Sequence, residues 1–347
     1  MAMSCHATAY SVREEKQGNM ALQIIDRDLV RKLLPMETCI RLMETAMLQT
    51  ASGTTCQPPR WIIDLPAGEG KCFGLMPGAM ADPEIFGAKL TAVYPQNGTR
   101  GFQSHQGTIV LFEAEIGAPV AVVHGGEVTA IRTAAASGLA TRLLANAEAG
   151  DLAILGCGEQ AREHLVAMSC VRELRRVRVW GRDVERAHAF ALANASRSPV
   201  PIEVCTSVEQ AVRDADLICT VSAAAEPILE SVHVADGAHL NVVGSSVAQA
   251  AEIGAELVRR ARFFVDYRPS ALLQAGEFLA AKAAGLVDDS HILAEVGEVL
   301  GGSHPGRRSN EEVTIYKSLG ISSEDLVCAH YLLQAAQAGN LGSRIDF

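Results

Sequence analysis

Hydrophobic positions change period along the chain, and each change predicts a different kind of element. Leu22 to Ile25 form a short apolar run. Asp26 then stands where an N-cap belongs, and Pro35 opens a second helix in which Cys39, Ile40, Met43 and Met47 recur at helical spacing. Core packing is the expected role of that methionine-rich stripe. From Trp61 the helical spacing disappears. Short apolar runs at Trp61 to Leu65, Lys71 to Leu75, Phe86 to Val93, Thr108 to Glu113 and Val120 to Val123 are joined by turns such as Gly117-Ala118-Pro119. They predict an antiparallel meander with a face able to hold a substrate.

Thr129 to Glu148 reads as one alanine-rich helix, ended by Gly150. After it, short apolar strands alternate with helices: Leu152 to Leu155, Val177 to Trp180, Ile202 to Cys205, Leu217 to Thr220, His239 to Val243 and Phe263 to Val265. That alternation predicts a parallel sheet wound by helices. Ser207 and Gln210 form a Ser-x-x-Gln capping box at one strand-to-helix junction. Past Ser270 the chain is expected to be helical again, interrupted by the loop at residues 301–306. The last helix, Ser323 to Gly339, would carry Leu326, Ala329, His330, Leu333 and Ala336 on one face. Residues 1–19 are polar and aperiodic, as in a flexible extension.

Composition narrows the function. The 347 residues, 48% hydrophobic and 20% charged, suit a globular enzyme with room for two domains. A net charge of −10 with no basic block would repel nucleic acid or an anionic membrane surface. Apolar runs fall short of the roughly 20 residues of a membrane span, and residues 1–19 lack a signal-type apolar stretch, so a cytoplasmic protein is expected. The nine cysteines are odd in number and scattered, with no Cys-x-x-Cys pair, as for reduced, packed thiols rather than a disulfide frame or a metal site.

Gly156-Cys157-Gly158-Glu159-Gln160-Ala161 stands between the first strand of the alternating region and a helix, in the pattern of a dinucleotide-binding turn. Gly156 permits the turn, Gly158 lets a pyrophosphate lie against the backbone, and Ala161 lets the helix pack close. The helix N-terminus then faces the phosphates. At the end of the next strand, where an acid would hold the ribose of NAD, the chain reads Gly181-Arg182-Asp183. A guanidinium bound to a 2′-phosphate is worth roughly 1.5–3 kcal/mol, so NADPH is favoured over NADH. Alternatively Arg182 is a solvated turn residue and Asp183 caps the next helix.

Several stretches together resemble the ornithine cyclodeaminase/μ-crystallin family: Gln57-Pro58-Pro59-Arg60, Gly87-Ala88-Lys89, Ser104-His105-Gln106-Gly107, Thr129-Ala130-Ile131-Arg132-Thr133-Ala134-Ala135, the cofactor turn, and Lys317-Ser318-Leu319-Gly320. The resemblance implies an α/β homodimer. Each chain would comprise an N-terminal α+β substrate-binding and dimerisation domain (20–128, with 321–347 returning to it) and a Rossmann dinucleotide-binding domain (129–320, including the connecting helix 129–148). It also implies chemistry at the Cα–N bond of an amino acid or its cyclic imine. Arg60, Lys89 and Arg132 match the family's substrate site: two arginines suit a carboxylate, and Lys89 suits proton delivery if crowding lowers its pKa. Thr133 matches a position beside the cofactor phosphates; Thr220, Val221 and Ser222 match the segment under the nicotinamide; Val243 and Gly244 match the segment near the reacting carbon.

The chain departs from the cyclodeaminases at Ser246, where they carry an aspartate that assists ring closure; a hydroxyl cannot replace that carboxylate. A second departure is His124, where the family usually has an aspartate, and here a capping or pairing role is expected. His105 is expected to be a scaffold residue, since no second ligand stands at metal-binding spacing. These features point to NAD(P)H-dependent reduction of a cyclic 2-imino acid, Δ1-pyrroline-2-carboxylate or Δ1-piperideine-2-carboxylate, to L-proline or L-pipecolate. The alternatives are ornithine cyclodeamination, open-chain amino acid dehydrogenation, and non-catalytic binding of NADPH or a small ligand.

Overall fold

A computed structural model describes residues 21–66, 68 and 70–346; the extension expected at 1–19 lies outside them. Strand β1 (Ala21–Ile25) leads into helices α1 (Arg27–Leu33) and α2 (Met36–Ala51). Asp26 caps α1 by accepting from Leu29 N. The predicted α2 stripe is buried: Cys39, Ile40, Met43 and Met47 are all in the core, the isoleucine and each methionine contributing roughly 1.5–3 kcal/mol of burial.

Strands β2 (Thr55–Cys56), β3 (Trp61–Asp64), β4 (Cys72–Ala81), β5 (Glu84–Val93), β6 (His105–Glu113) and β7 (Pro119–His124) follow. From β3 to β7 each consecutive pair is antiparallel, as expected of a meander, while β1 joins β7 in parallel. One correction concerns β4, which does not stop at Leu75 but runs on through Pro77 and Gly78 to Ala81. There Gly78 pairs with Gly87 of β5. Cβ atoms at these two glycines would meet Ser322 Oγ at 2.3 Å and Leu326 Cδ2 at 3.1 Å, so the bare backbone makes room for the final helix.

Helix α3 spans Gly125–Leu144, not 129–148. His124 sets the earlier start, its Nδ1 accepting from Glu127 N at 3.1 Å. This is the capping role expected of it. The parallel strands β8 (Asp151–Leu155), β9 (Arg176–Trp180), β10 (Ile202–Cys205), β11 (Leu217–Thr220), β12 (His239–Val242) and β13 (Arg262–Val265) alternate with α4 (Glu159–Val171), α5 (Val184–Asn194), α6 (Val208–Val212) and α7 (Ala255–Arg260). At the α6 capping box Ser207 Oγ accepts from Gln210 N, but Gln210 Oε1 reaches back to Thr206 N rather than to Ser207.

The region past Ser270 is not purely helical. After α8 (Arg268–Gln274) and α9 (Gly276–Ala283) come β14 (Ile292–Glu295), α10 (Val296–Leu300) and β15 (Thr314–Lys317). The sheet order is β10-β9-β8-β11-β12-β15-β13-β14, so β15 inserts between β12 and β13. At four residues ending in lysine, β15 carries little periodic signal. Its Lys317 is tolerated at 0% exposure because Glu277 lies 3.1 Å away.

Helix α11 (Ser322–Ala338) then packs over β4, β5 and β6, and β16 (Ser343–Asp346) closes the first sheet on β1. Its first two turns are buried on every side, Glu324 and Asp325 included, rather than on one apolar face. Helix α3 lies between the sheets. Arg132 bonds Glu324 and Asp325 of α11, which packs on the first sheet, while Ser137 bonds His164 of α4 and Thr141 bonds Asn241 of β12 in the second. The fold is thus α/β, a Rossmann-type parallel sheet joined to an α+β unit built on an antiparallel sheet.

Candidate active site

Three cations converge where β5, α3 and the β15–α11 turn meet. Lys89 Nζ lies 2.7 Å from Asp325 Oδ2 and 3.3 Å from Thr129 Oγ1. Arg132 Nε donates to Asp325 Oδ1 at 3.1 Å, and its Nη1 donates to Glu324 Oε2 at 2.8 Å. Arg60 donates to the carbonyls of Leu319 and Gly320. That turn is itself held by Asp266, which accepts from Leu319 N and Gly320 N at 2.6 Å each. Gly320 has φ +79°, and a Cβ there would meet the Arg132 guanidinium at 2.6 Å. A small cleft bordered by Gln57, Met76, Tyr267 and Ser322 opens beside Arg60.

Burial first, and Arg132 second, bring the Lys89 pKa down to about 8, while Asp325 opposes them. Crowding by arginines alone was expected; removal from water is the larger cause. An ammonium held there is charged at neutral pH yet within reach of deprotonation. His105 sits near the same charges: packing around the ring, then Lys89 and Arg60, hold its pKa below the usual value, and Ser104 Oγ is 2.9 Å from Nδ1.

The cofactor turn lies at the sheet's switch point, between β8 and β11. Gly156 has φ +139°, and a Cβ there would meet Val221 O at 2.6 Å, so only glycine fits. A Cβ at Gly158, in contrast, meets nothing within 4 Å, leaving open space at the N-terminus of α4 where a pyrophosphate would lie. Glu159 and Gln160 form the first turn of that helix, Glu159 accepting from Gln103 Nε2 at 2.5 Å, and Ala161 is fully buried. Thr133 is buried on α3, one residue beyond Arg132. At the end of β9, Gly181 is packed against the Cys157 thiol: a Cβ would stand 2.8 Å from Sγ. Arg182 is exposed, and Asp183 caps α5 by accepting from Glu185 N and Arg186 N. The residues present therefore fit a nicotinamide dinucleotide.

The loops after β11 and β12 meet on a buried carboxylate that the sequence patterns did not single out. Glu252 accepts from Thr220 Oγ1 at 2.8 Å, from Ser222 N and Oγ at 2.7 Å, and from Gly244 N at 2.6 Å. Val243 N and Gly244 N also donate to Thr220 O. Glu277 accepts from Glu252 N and from Ser245 Oγ, and Lys317 donates to Ser245 Oγ at 2.8 Å. Ser246, half-buried next door, makes no hydrogen bond to Arg60, Lys89 or Arg132 among the described residues. The acids Asp266, Glu324 and Asp325 also escaped the sequence reading. The available signal was an acidic pair standing directly before the apolar run Leu326 to Ala329 in the first half of that helix.

The chain as a whole is similar to known proteins. Residues 21–340 match the model of the ornithine cyclodeaminase/mu-crystallin family. The chain is 32% identical over 325 residues to a Delta(1)-pyrroline-2-carboxylate reductase of Bacillus cereus, covering 93% of this chain and 99% of that one. It is 37% identical over 287 residues to the ketimine reductase mu-crystallin of Mus musculus, covering 83% and 87%. The solved Thermococcus litoralis Delta(1)-pyrroline-2-carboxylate reductase in complex with NADH and L-proline superposes with a TM-score of 0.91 at 30% identity, over 93% of this chain and all of that one. With a family model matching residues 21–340 and relatives aligned nearly end to end, this chain belongs to the ornithine cyclodeaminase/mu-crystallin family.

Proposed function

We propose that the protein is an oxidoreductase that reduces a cyclic 2-imino acid, Δ1-pyrroline-2-carboxylate or Δ1-piperideine-2-carboxylate, to L-proline or L-pipecolate. The observation that carries this reading is the convergence of Arg60, Lys89 and Arg132 on one buried site. Arg60 and Arg132 clamp the substrate carboxylate, and Lys89 protonates the ring nitrogen. The nicotinamide supplies the hydride when bound. Glu252 holds the loops at Thr220–Ser222 and Val243–Gly244 in register, the two segments that would border a bound nicotinamide. Serine rather than a carboxylate at position 246 suits reduction of a preformed ring over ring closure.

NADPH is the preferred cofactor in this reading, because Gly181 offers no carboxylate to repel a 2′-phosphate and exposed Arg182 can bind one. A homodimer is supported by β3, whose Trp61, Ile62 and Ile63 are 70%, 46% and 57% exposed on the edge of the first sheet. The test is loss of reduced-nicotinamide absorbance with each imine, using NADPH and NADH, beside L-ornithine with the oxidised cofactor. Turnover of ornithine to proline without turnover of either imine would reject the reductase reading.

A further inference from the structure

The substrate site is electrically balanced before any substrate enters it. Three cations, Arg60, Lys89 and Arg132, face three buried carboxylates, Asp266, Glu324 and Asp325. A substrate carboxylate adds a fourth negative charge to a region in which Lys89, Arg132 and all three carboxylates are buried and only the side beside Arg60 is open. An uncompensated buried anion is costly enough that a neighbouring group takes up a proton instead.

The hydrogen bonds show which group that is. Asp325 bridges Lys89 and Arg132, so its charge is needed where it stands, and its pKa is held below the ordinary value despite burial. Asp266 is pushed up by burial, but it accepts from three backbone N–H groups, of Tyr267, Leu319 and Gly320, all of which favour the ionised form. Glu324 has only Oε2 bound, to Arg132. Its Oε1 is buried without a hydrogen-bond partner among the described residues. The groups facing it are Arg60 before β3, Lys89 from β5, Arg132 from α3, Asp266 after β13, Tyr316 from β15 and Asp325 on its own helix. The Tyr316 hydroxyl is likewise buried, with Ser318 beside it. Burial is the largest influence on Glu324 and raises its pKa to about 7; Arg132 lowers it and the two aspartates raise it further.

We propose that Glu324 takes up one proton from solvent when Arg60 and Arg132 clamp a substrate carboxylate, so that anion and proton bind together. Glu324 is then a positioning residue that keeps the clamp neutral. Its proton is separate from the one Lys89 gives to the ring nitrogen, and it returns to solvent when the product leaves. The inference rests on the carboxylate clamp of the proposed function.

Pyrrole-2-carboxylate, a planar analogue whose ring nitrogen is not basic, serves as the probe against protein loaded with NADPH. Calorimetric titration at pH about 8 in HEPES and in Tris counts the protons, because the observed heat shifts with the buffer's ionisation enthalpy. The expected result is uptake approaching one proton per bound anion, falling toward zero below pH about 6, where Glu324 is already protonated. Glu324→Gln should bind the probe with the Glu324 share of the uptake lost, leaving only the fraction taken up by Lys89, which is half charged at this pH and fully charged by pH about 7. Equal heats in the two buffers for the unaltered protein would overturn the inference and leave the clamp standing. Undiminished uptake in E324Q would assign the proton elsewhere and overturn it as well. If E324Q does not fold, the two-buffer and pH series on the unaltered protein decide alone. No binding of the probe at all, by protein that still binds NADPH, would overturn the clamp and the inference together.

Discussion

Lys89 Nζ and Asp325 Oδ2 stand 2.7 Å apart, both almost fully buried, joining the middle of a sheet strand to the first turn of the last long helix. A buried ion pair of this kind is weak evidence for stability, since desolvation offsets most of the attraction. Its use is to hold an ammonium in one place. Replacing Lys89 with Met should lower turnover of the imine by about 10²–10⁴-fold, the usual range for a positioned proton donor. NADPH affinity, read by fluorescence titration, should stay close to that of the unaltered protein. Unchanged turnover would remove Lys89 from the proton-transfer role.

The pH profile follows from the same pair. Lys89 donates only while charged, so kcat/KM should fall as pH rises through about 8. Asp325 favours the ammonium. In Asp325→Asn that support is lost, the lysine pKa drops further, and the alkaline limb should move to lower pH. A limb that stayed in place would mean that another group titrates there.

Gly156 and Gly158 should respond differently to the same added methyl group. Gly158→Ala meets no protein atom within 4 Å, so thermal stability should hold while cofactor KM rises. Gly156→Ala forces a Cβ to within 2.6 Å of Val221 O at φ +139° and should lower the melting temperature itself. Equal thermal losses in both would contradict the separation of a ligand-facing from a fold-facing glycine.

Cofactor choice is expected to turn on Arg182. Its change to Ala should raise KM for NADPH by about 10- to 100-fold and leave NADH nearly unaffected. Installing an acid at Gly181 to favour NADH should work poorly alone, because its Cβ would meet Cys157 Sγ at 2.8 Å. Combined with Cys157→Ala, Gly181→Asp should turn over NADH better than the single change. Steady-state kinetics with both cofactors measure each step.

Gly87 tests the seat of α11. An alanine Cβ there would stand 2.2 Å from Val110 O and 3.1 Å from Leu326 Cδ2. Overpacking of this kind costs about 1–3 kcal/mol. Gly87→Ala should therefore lower the urea midpoint, and it should lower kcat as well by displacing Asp325 from Lys89. A stable variant of full activity would show that α11 tolerates a shift.

Local pattern sufficed for much of this protein. The α2 stripe, the antiparallel runs from β3 to β7 and the alternating strands from β8 to β13 are regular repeats that announce which face is buried, and the glycine turn after β8 announces its own backbone geometry. Arg60, Lys89 and Arg132 were legible as residue types matching a family pattern. What tertiary structure alone decided is where short or charged segments go. Residues 314–317 become an internal strand because Glu277 waits for Lys317, and β4 continues past Pro77 because α11 sits over Gly78. The acids that set the site's electrostatics, Asp266, Glu324 and Asp325, lie far along the chain from Lys89. A charge reads as solvated in sequence, and only the packing of α11 between the first sheet and α3 removes the water that makes Glu324 and Lys89 unusual.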